Sequence, residues 1–390
     1  MKLCYFDNAA TSFPKPPQVL KAMENFTNEI GANPGRSGHR LSIRAGRIVE
    51  EVREKIAQLF NVADPLRITF THNATYALNL ALRGILKDGD HVITTSLEHN
   101  SVARPLRDLE KKGIKLTILP ADPKTCQIDL DKLNKAFKKN TKMVVTLHGS
   151  NVTGRLLPLK EIGALAREKG VLYLVDAAQT AGCVPIDVFK MNIDLLAFTG
   201  HKALFGPQGT GGLYVRPGLQ VASLIQGGTG SRSEEDRHPK FFPDALEAGT
   251  LNTVGLAGLN AGVAFVLKTG VKKIRKKETK LLKKLLEGLE SIAGVTIYGS
   301  PQPSTNIPVL SFTIKGYEPS EVCDLLDHRY QIMSRVGLHC SPWVHQTLGT
   351  YPHGTVRFSL SYFNTEDQVE QALQAVEEIS NKKASKWASM

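Results

Sequence analysis

A chain of 390 residues with 42% hydrophobic and 22% charged residues is a globular protein too long for one ordinary core, so a large and a small domain are expected. No apolar run is long enough to span a bilayer, and Asp7 interrupts the N-terminus before a signal-peptide core could form, which predicts a cytoplasmic protein. The formal net charge is +12, and the five cysteines (Cys4, Cys126, Cys183, Cys323 and Cys340) are scattered with no Cys-x-x-Cys pair. That pattern argues against a disulfide framework or a structural zinc site and leaves thiols free for chemistry.

In chain order, residues 67–71 read as a strand and 74–86 as a helix with Leu78, Leu82 and Ile85 on one face. Strands are predicted over 91–95, 114–119, 143–147, 171–175 and 193–198, and helices over 102–111, 130–137 and 159–169. Short apolar strands separated by helices imply a mostly parallel sheet covered on both faces. The segment 209–212, Gly-Thr-Gly-Gly, reads as a turn.

Beyond about residue 265 the character changes. The run 268–284 carries Lys272, Lys273, Arg275, Lys276, Lys277, Lys280, Lys283 and Lys284 interleaved with Val271, Ile274, Leu281, Leu282, Leu285 and Leu286, an amphipathic helix with a basic solvated face. A docking surface for an acidic partner or nucleic acid is the sharper reading of that face, but no nucleic-acid-binding motif accompanies it. Strands over 309–314 and 355–361 and helices over 319–326 and 365–379 complete an α+β unit. Residues 381–390 are polar and expected to fray.

In a parallel sheet, ligands sit beyond the carboxyl ends of the strands. Five predicted ends deliver polar groups there: Thr71 to Thr75, Glu98-His99-Asn100, His148 to Asn151, Asp176, and Thr199-Gly200-His201-Lys202. A lysine at a buried strand end is uncommon, because its ammonium is costly to desolvate, and the same desolvation makes it a Schiff-base nucleophile. A carboxylate such as Asp176 can keep the pyridine nitrogen of pyridoxal phosphate protonated, and Gln179 can bond that cofactor's phenolic oxygen. Asp176 could equally cap the segment after it. His99 could stack on the ring. The helix start at Thr75 offers backbone N–H groups to a phosphate, with Thr199 and His201 able to complete the cup.

These segments, with Asp7-Asn8-Ala9-Ala10-Thr11, Ser150-Asn151-Val152-Thr153-Gly154, Val175-Asp176-Ala177-Ala178-Gln179, Glu247-Ala248-Gly249-Thr250, Arg335 to Cys340 and Val356-Arg357-Phe358-Ser359, resemble the cysteine desulfurase and selenocysteine lyase family, class V aminotransferases of pyridoxal-phosphate fold type I. The resemblance covers about residues 5–365. It implies an N-terminal segment, residues 1–20, packed on the small domain, a large cofactor domain over 21–262 and a small C-terminal domain over 263–390 carrying the Cys340 loop. It implies Lys202 as the Schiff-base lysine, Asp176 and Gln179 as cofactor partners and His99 as the stacking ring. Ala74, Thr75, Thr199 and His201 would form the phosphate cup, with Thr250 joining it across a homodimer interface. Arg357 would clamp the substrate carboxylate beside Asn151, while Arg36, His39 and Ala9 would line the substrate approach. Asn73-Ala74-Thr75 stands where the family often has a second threonine, so one hydroxyl of the cup is absent.

Cys340 matches the family's sulfur-accepting cysteine. Arg335, His339 and His345 nearby would favour its thiolate, and Gly337 and Pro342 place it in a loop. His339, Cys340 and His345 lack a further ligand, so no metal site is expected. The implied reaction takes sulfur from L-cysteine, or selenium from selenocysteine, leaves alanine, and passes the sulfur from Cys340 to an acceptor protein or thiol. Competing readings are another class V activity (aminotransferase, kynureninase-like hydrolase or epimerase) and a non-catalytic sulfur-relay scaffold.

Overall fold

A computed structural model describes residues 3–35 and 38–387, with side chains as far as Asn381. After a two-residue strand β1 (Cys4–Tyr5) come two helices, α1 (Pro17–Glu29) and α2 (Arg40–Phe60). Then β2 (Ile68–Thr71), α3 (Ala74–Ile85), β3 (His91–Thr95), α4 (Asn100–Glu110), β4 (Lys115–Leu119), α5 (Leu130–Ala136), β5 (Thr141–Leu147), α6 (Leu159–Glu168) and β6 (Leu172–Asp176) alternate, as expected. The sheet closes with β7 (Leu195–Thr199) and β8 (Gly211–Val215). Its order is β2-β8-β7-β6-β5-β3-β4, parallel except for β8, which runs antiparallel to both neighbours. Strands β3, β7 and β8 are buried along their whole length, which is why they read as apolar runs with no alternation.

Strand β3 lies between β4 and β5, so the chain leaves β3 to one side and returns to the other. That reversal opens a crevice at the carboxyl ends of β3 and β5, where an open α/β sheet binds its ligands.

The second half begins with α7 (Thr253–Thr269) and α8 (Val271–Ser291), bent 81° apart at Gly270. The run 268–284, read as one helix, is broken because Gly270 adopts φ 86°, a left-handed conformation that ends α7. Within α8 the apolar stripe is as predicted: Ile274, Leu281, Leu282, Leu285 and Leu286 are buried, and Lys272, Lys273, Lys276, Lys277, Lys280 and Lys283 are exposed. Next come β9 (Val295–Ile297), β10 (Val309–Ile314), α9 (Pro319–Tyr330), β11 (Ile332–Met333), β12 (Arg335–Gly337), α10 (Pro342–Leu348), β13 (Thr355–Ser359) and α11 (Glu366–Trp387). The antiparallel sheet β12-β13-β10-β9 packs its apolar face, with Leu310, Phe312, Val356 and Phe358, on α8, α9 and α11. Strand β1 pairs in parallel with β11, and Phe6 enters this second core. No single helix among the described residues is long and apolar enough to cross a membrane.

Three further differences from the expected elements have physical reasons. Residues 211–215 form β8, whose Gly211 and Gly212 lie so close to Asn73, Thr69 and Phe198 that a side chain at either would strike them. The boundary drawn at 262/263 passes through α7, which packs against α1 and α2. The segment from Asn381 continues α11 as far as Trp387.

Gly211 positions the site. A Cβ there would lie 2.8 Å from both Asn73 Cα and Phe198 O, so β8 and the start of α3 approach closely only through glycine. Gly211→Ala is therefore expected to lower unfolding stability by about 1–3 kcal/mol in urea melts. Gly46→Ala in α2, whose nearest foreign atom is 3.8 Å away, is expected to hold or slightly raise it.

Candidate active site at the strand ends

The carboxyl ends of β2, β3, β5, β6 and β7 converge on one cleft, lined among others by Ala74, Thr75, His99, Asn151, Asp176, Gln179, Thr199, His201 and Lys202. Nine of the residues expected at the site are thus brought together. Lys202 follows β7 and Asp176 ends β6, its neighbour in the sheet. Asp176 is 5% exposed, and its Oδ1 accepts from the Ala178 amide at 2.9 Å. Burial pushes the Asp176 carboxyl up, against the pull of that amide and of Lys202. Burial brings the Lys202 amine down to about 8, although Asp176 pulls the other way.

His99 caps α4. Its Nδ1 accepts from the Ser101 amide at 3.0 Å, which places the proton of the neutral ring on Nε2. Burial, then the charges of Lys202 and Arg335, lower His99 to about 4, so the ring is neutral at physiological pH. The Ser101 hydroxyl lies 3.5 Å from Asp176 Oδ2 and links the two.

At the other end of the cleft, Asn73 caps α3 by accepting from the Tyr76 amide at 2.9 Å, which leaves the first-turn amides of Ala74 and Thr75 for a ligand. His201 Nδ1 is buried without a hydrogen-bond partner, and burial lowers its ring to about 4. An orphaned ring nitrogen beside a helix start suits an anion. These features fit pyridoxal phosphate: an amine for the aldehyde, a buried carboxylate for the pyridine nitrogen, a flat neutral ring and a phosphate cup.

Arg357 and Asn151 sit where the large and small domains meet. Arg357 is 1% exposed; its Nη1 donates to the Asn151 carbonyl at 3.0 Å and its Nη2 to Asp7 Oδ1 at 2.5 Å, while its Nε has no partner. Asn151 Nδ2 donates to the His339 carbonyl at 2.7 Å, and its Oδ1 accepts from the Ser341 hydroxyl at 2.9 Å. The Asn100 amide donates to the Cys340 carbonyl at 2.8 Å. Cys340 is therefore exposed on a loop fastened on both sides to residues bordering the cleft, with Arg335 Nη2 3.8 Å from its sulfur. His339 and Cys340 have φ of 50° and 58°, two successive non-glycine residues in the left-handed region.

Other expected residues fall elsewhere. Ala9 lines a second cavity, where its carbonyl accepts from Gln179 Nε2 at 3.0 Å. Thr250 is exposed and lines a separate surface pocket with Thr71, His72 and Tyr76. His39 is exposed and caps α2, accepting from the Ser42 amide at 3.3 Å, and Arg36 lies outside the described residues.

Three roles are visible in the structure alone. Asp7 is the ion-pair partner of Arg357. Glu98, fully buried, accepts from Thr95 Oγ1 at 2.6 Å and from the Leu147 amide at 3.0 Å, which ties the ends of β3 and β5 across the crevice; burial raises it to about 8. Glu247 pairs bidentately with Arg53 at 2.9 and 3.0 Å and anchors the segment that ends in Thr250. Asp7, Glu98 and Glu247 all stand inside the motifs that carry the resemblance, and their acidity in apolar or small-residue contexts is the signal in the sequence.

The model of the aminotransferase class-V family matches residues 4–372. A probable cysteine desulfurase of Methanothermobacter thermautotrophicus is 36% identical over 382 residues, 96% of this chain and 94% of that one. The cysteine desulfurase IscS of Vibrio campbellii is 34% identical over 96% of this chain and 92% of its own. Among solved structures, the apo cysteine desulfurase of Thermococcus onnurineus NA1 superposes with a TM-score of 0.91 at 35% identity, covering 97% of this chain and 95% of that one. The chain belongs to the aminotransferase class-V family and, within it, to the cysteine desulfurases.

Two outcomes are expected at this site. Lys202, with its amine at about 8 against an ordinary 10.5, is expected to acylate steeply as pH rises through 8 in the cofactor-free protein, while exposed lysines stay protonated and slow; peptide mass spectrometry across pH checks this. Asp7→Ala leaves Arg357 buried and unpaired, and is expected to reduce unfolding stability by about 3 kcal/mol in denaturant melts.

Proposed function

We propose that this protein is a pyridoxal-phosphate-dependent cysteine desulfurase that converts L-cysteine to L-alanine and carries the sulfur as a persulfide on Cys340. The observation that carries this reading is the half-buried Lys202 and the buried Asp176 at adjacent strand ends in one cleft, with an exposed cysteine fastened at its border. The relatives named cysteine desulfurases support it across almost the whole chain. Pyridoxal phosphate, when bound, supplies an electron sink for bond changes at the substrate's α- and β-carbons.

Lys202 would hold the aldehyde, and with its amine near 8 it can take and return a proton on the substrate carbon at working pH. Asp176 would keep the pyridine nitrogen protonated, and the resulting ion pair would relieve the cost of burying its carboxylate. Gln179 would bond the phenolic oxygen. His99 would present a neutral ring face, with Nε2–H free to move a proton. Ala74, Thr75, Thr199 and His201 would hold the phosphate, joined by Thr250 from a second copy of the chain, so the working form is a homodimer.

Arg357 would receive the substrate carboxylate through its unpartnered Nε, with the Asn151 side chain alongside. Ala9, His39 and Arg36 would border the approach to the cleft. The Cys340 sulfur would attack the substrate sulfur: an S–S bond forms, the substrate's C–S bond breaks, and a proton on the carbon completes alanine. Arg335 lies close enough to balance negative charge on the Cys340 sulfur through this step. The exposed persulfide then passes to a thiol or acceptor protein in the cytoplasm. Selenocysteine fits the same cleft as a second substrate.

The decisive experiment mixes the cofactor-loaded protein with L-cysteine and an excess of a dithiol, which supplies the two electrons that release the persulfide's outer sulfur as sulfide, and measures alanine and sulfide together. Equal yields are expected. Lys202→Ala is expected to abolish both, and borohydride should no longer fix the cofactor to the chain. Cys340→Ala is expected to keep the cofactor and to lower sulfur transfer by about a hundredfold or more. Full turnover in Cys340→Ala would instead point to another class V reaction.

A further inference from the structure

Just ahead of α1, the N-terminal segment converges on a single atom. The backbone carbonyl of His201, which forms the peptide bond to Lys202, receives the Ser12 amide at 3.1 Å, the Thr11 hydroxyl at 3.1 Å, the Ser12 hydroxyl at 3.2 Å and the Lys15 ammonium at 3.2 Å. A carbonyl oxygen has two lone pairs, so donors are in excess there. The Lys15 Nζ also donates to the Ser12 hydroxyl oxygen at 3.0 Å.

The cation in this group is the costly member. Lys15 is half-buried, and both of its hydrogen-bond partners are neutral oxygens. Burial lowers its amine to about 8, and no acid near it pulls the other way. At pH 7 it is still mainly an ammonium, held out of water with no counter-charge of its own. A neutral donor would have satisfied the His201 carbonyl without that cost.

The charge is felt in the cleft. After burial, Lys202 and then Lys15 are the groups that lower the His201 ring. That ring lines the cleft beside Ala74 and Thr75, and its buried Nδ1 has no partner. An uncompensated cation behind a cup of N–H and O–H groups biases the cup toward an anion, and toward a second negative charge on that anion.

We propose that Lys15 is a positioning residue of the phosphate cup: its ammonium, seated on the His201 carbonyl, holds the peptide that joins His201 to Lys202 and adds the positive charge that makes the cup select a doubly charged phosphate monoester. Lys15 does not line the cleft and acts through His201. The inference deepens the reading of the cleft as a pyridoxal-phosphate site and rests on it.

The test uses the full chain freed of cofactor, at pH 7, where a phosphate monoester carries most of its second charge. Equilibrium dialysis measures the binding of pyridoxal phosphate and of pyridoxal, which share the ring and aldehyde and differ in the phosphate. Lys15→Met is expected to weaken pyridoxal phosphate about tenfold and to leave pyridoxal within about twofold. Inorganic phosphate is expected to compete with pyridoxal phosphate about tenfold less well in the same variant. Lys15→Arg keeps the charge and is expected to restore both values; Lys15→Gln keeps a donor without the charge and is expected to behave as Lys15→Met. Lys21→Met, which removes an exposed lysine of α1, is expected to change none of them. Unchanged binding in Lys15→Met overturns the proposal. Equal weakening of pyridoxal and pyridoxal phosphate also overturns it, as does full rescue by Lys15→Gln. If Lys15→Met does not fold, the Gln and Arg variants make the same comparison. A wrong reading of the cleft itself shows differently, as an unaltered chain that binds pyridoxal phosphate no more tightly than pyridoxal.

Discussion

The structure turns on one pair of opposite charges that do not touch, Asp176 buried and Lys202 half-buried. Lys202 and Asp176 stand at the carboxyl ends of adjacent strands, and no ion pair joins them among the described residues. Each is destabilised by burial more than it is stabilised by the other, so the carboxyl rises and the amine falls. A protein that had to bury them for stability alone would bring them into contact. Separated across a cleft, they are arranged for a ligand that carries a positive nitrogen for one and an electrophilic carbon for the other. Much of the large domain fixes that separation: the β6–β7 register, the Glu98 tie between β3 and β5, and the glycine contact of β8 with the start of α3.

The small domain reaches the same cleft through a short chain of hydrogen bonds. Arg357 on β13 holds Asp7 from the N-terminal segment and the Asn151 carbonyl from the large domain, and Asn151 in turn holds the turn at His339 and Ser341. The residue expected to bind substrate is thus also the keystone between three segments. This explains how Cys340 can sit in a left-handed turn that a non-glycine residue adopts reluctantly: the Asn151 and Asn100 bonds on either side over-determine its backbone. A thiol on such a turn has a defined place relative to His99 and Arg335, and still faces solvent for hand-over of sulfur.

The layered α/β half was legible from sequence because its strands are short apolar runs and its helices strictly periodic; boundaries fell within a few residues for β3, α5 and α6. The cleft residues were legible because polar groups follow apolar strands only where a site needs them. What escaped had a common cause, namely dependence on contacts distant in sequence. Strand β8 looked like a glycine turn until its two antiparallel neighbours were in place. Helix α2 hid its core stripe of Val49, Val52, Ile56 and Phe60 among charges, one of which, Arg53, is itself buried against Glu247. The partnership of Asp7 with Arg357 spans most of the chain and has no local signature.

Glu278 belongs to the same category and sharpens the point. In the sequence it is one of three acids in a basic helix, most simply read as a local counter-charge for its lysines. In the structure the lysines face solvent or acids, Lys280 and Lys284 pairing with Glu366 and Glu370 of α11 and Lys283 with Glu287, and of the three acids of α8 Glu278 alone is buried. A helix amphipathic enough to choose its buried face unambiguously, yet carrying a carboxyl group on that face, gains nothing in packing from it.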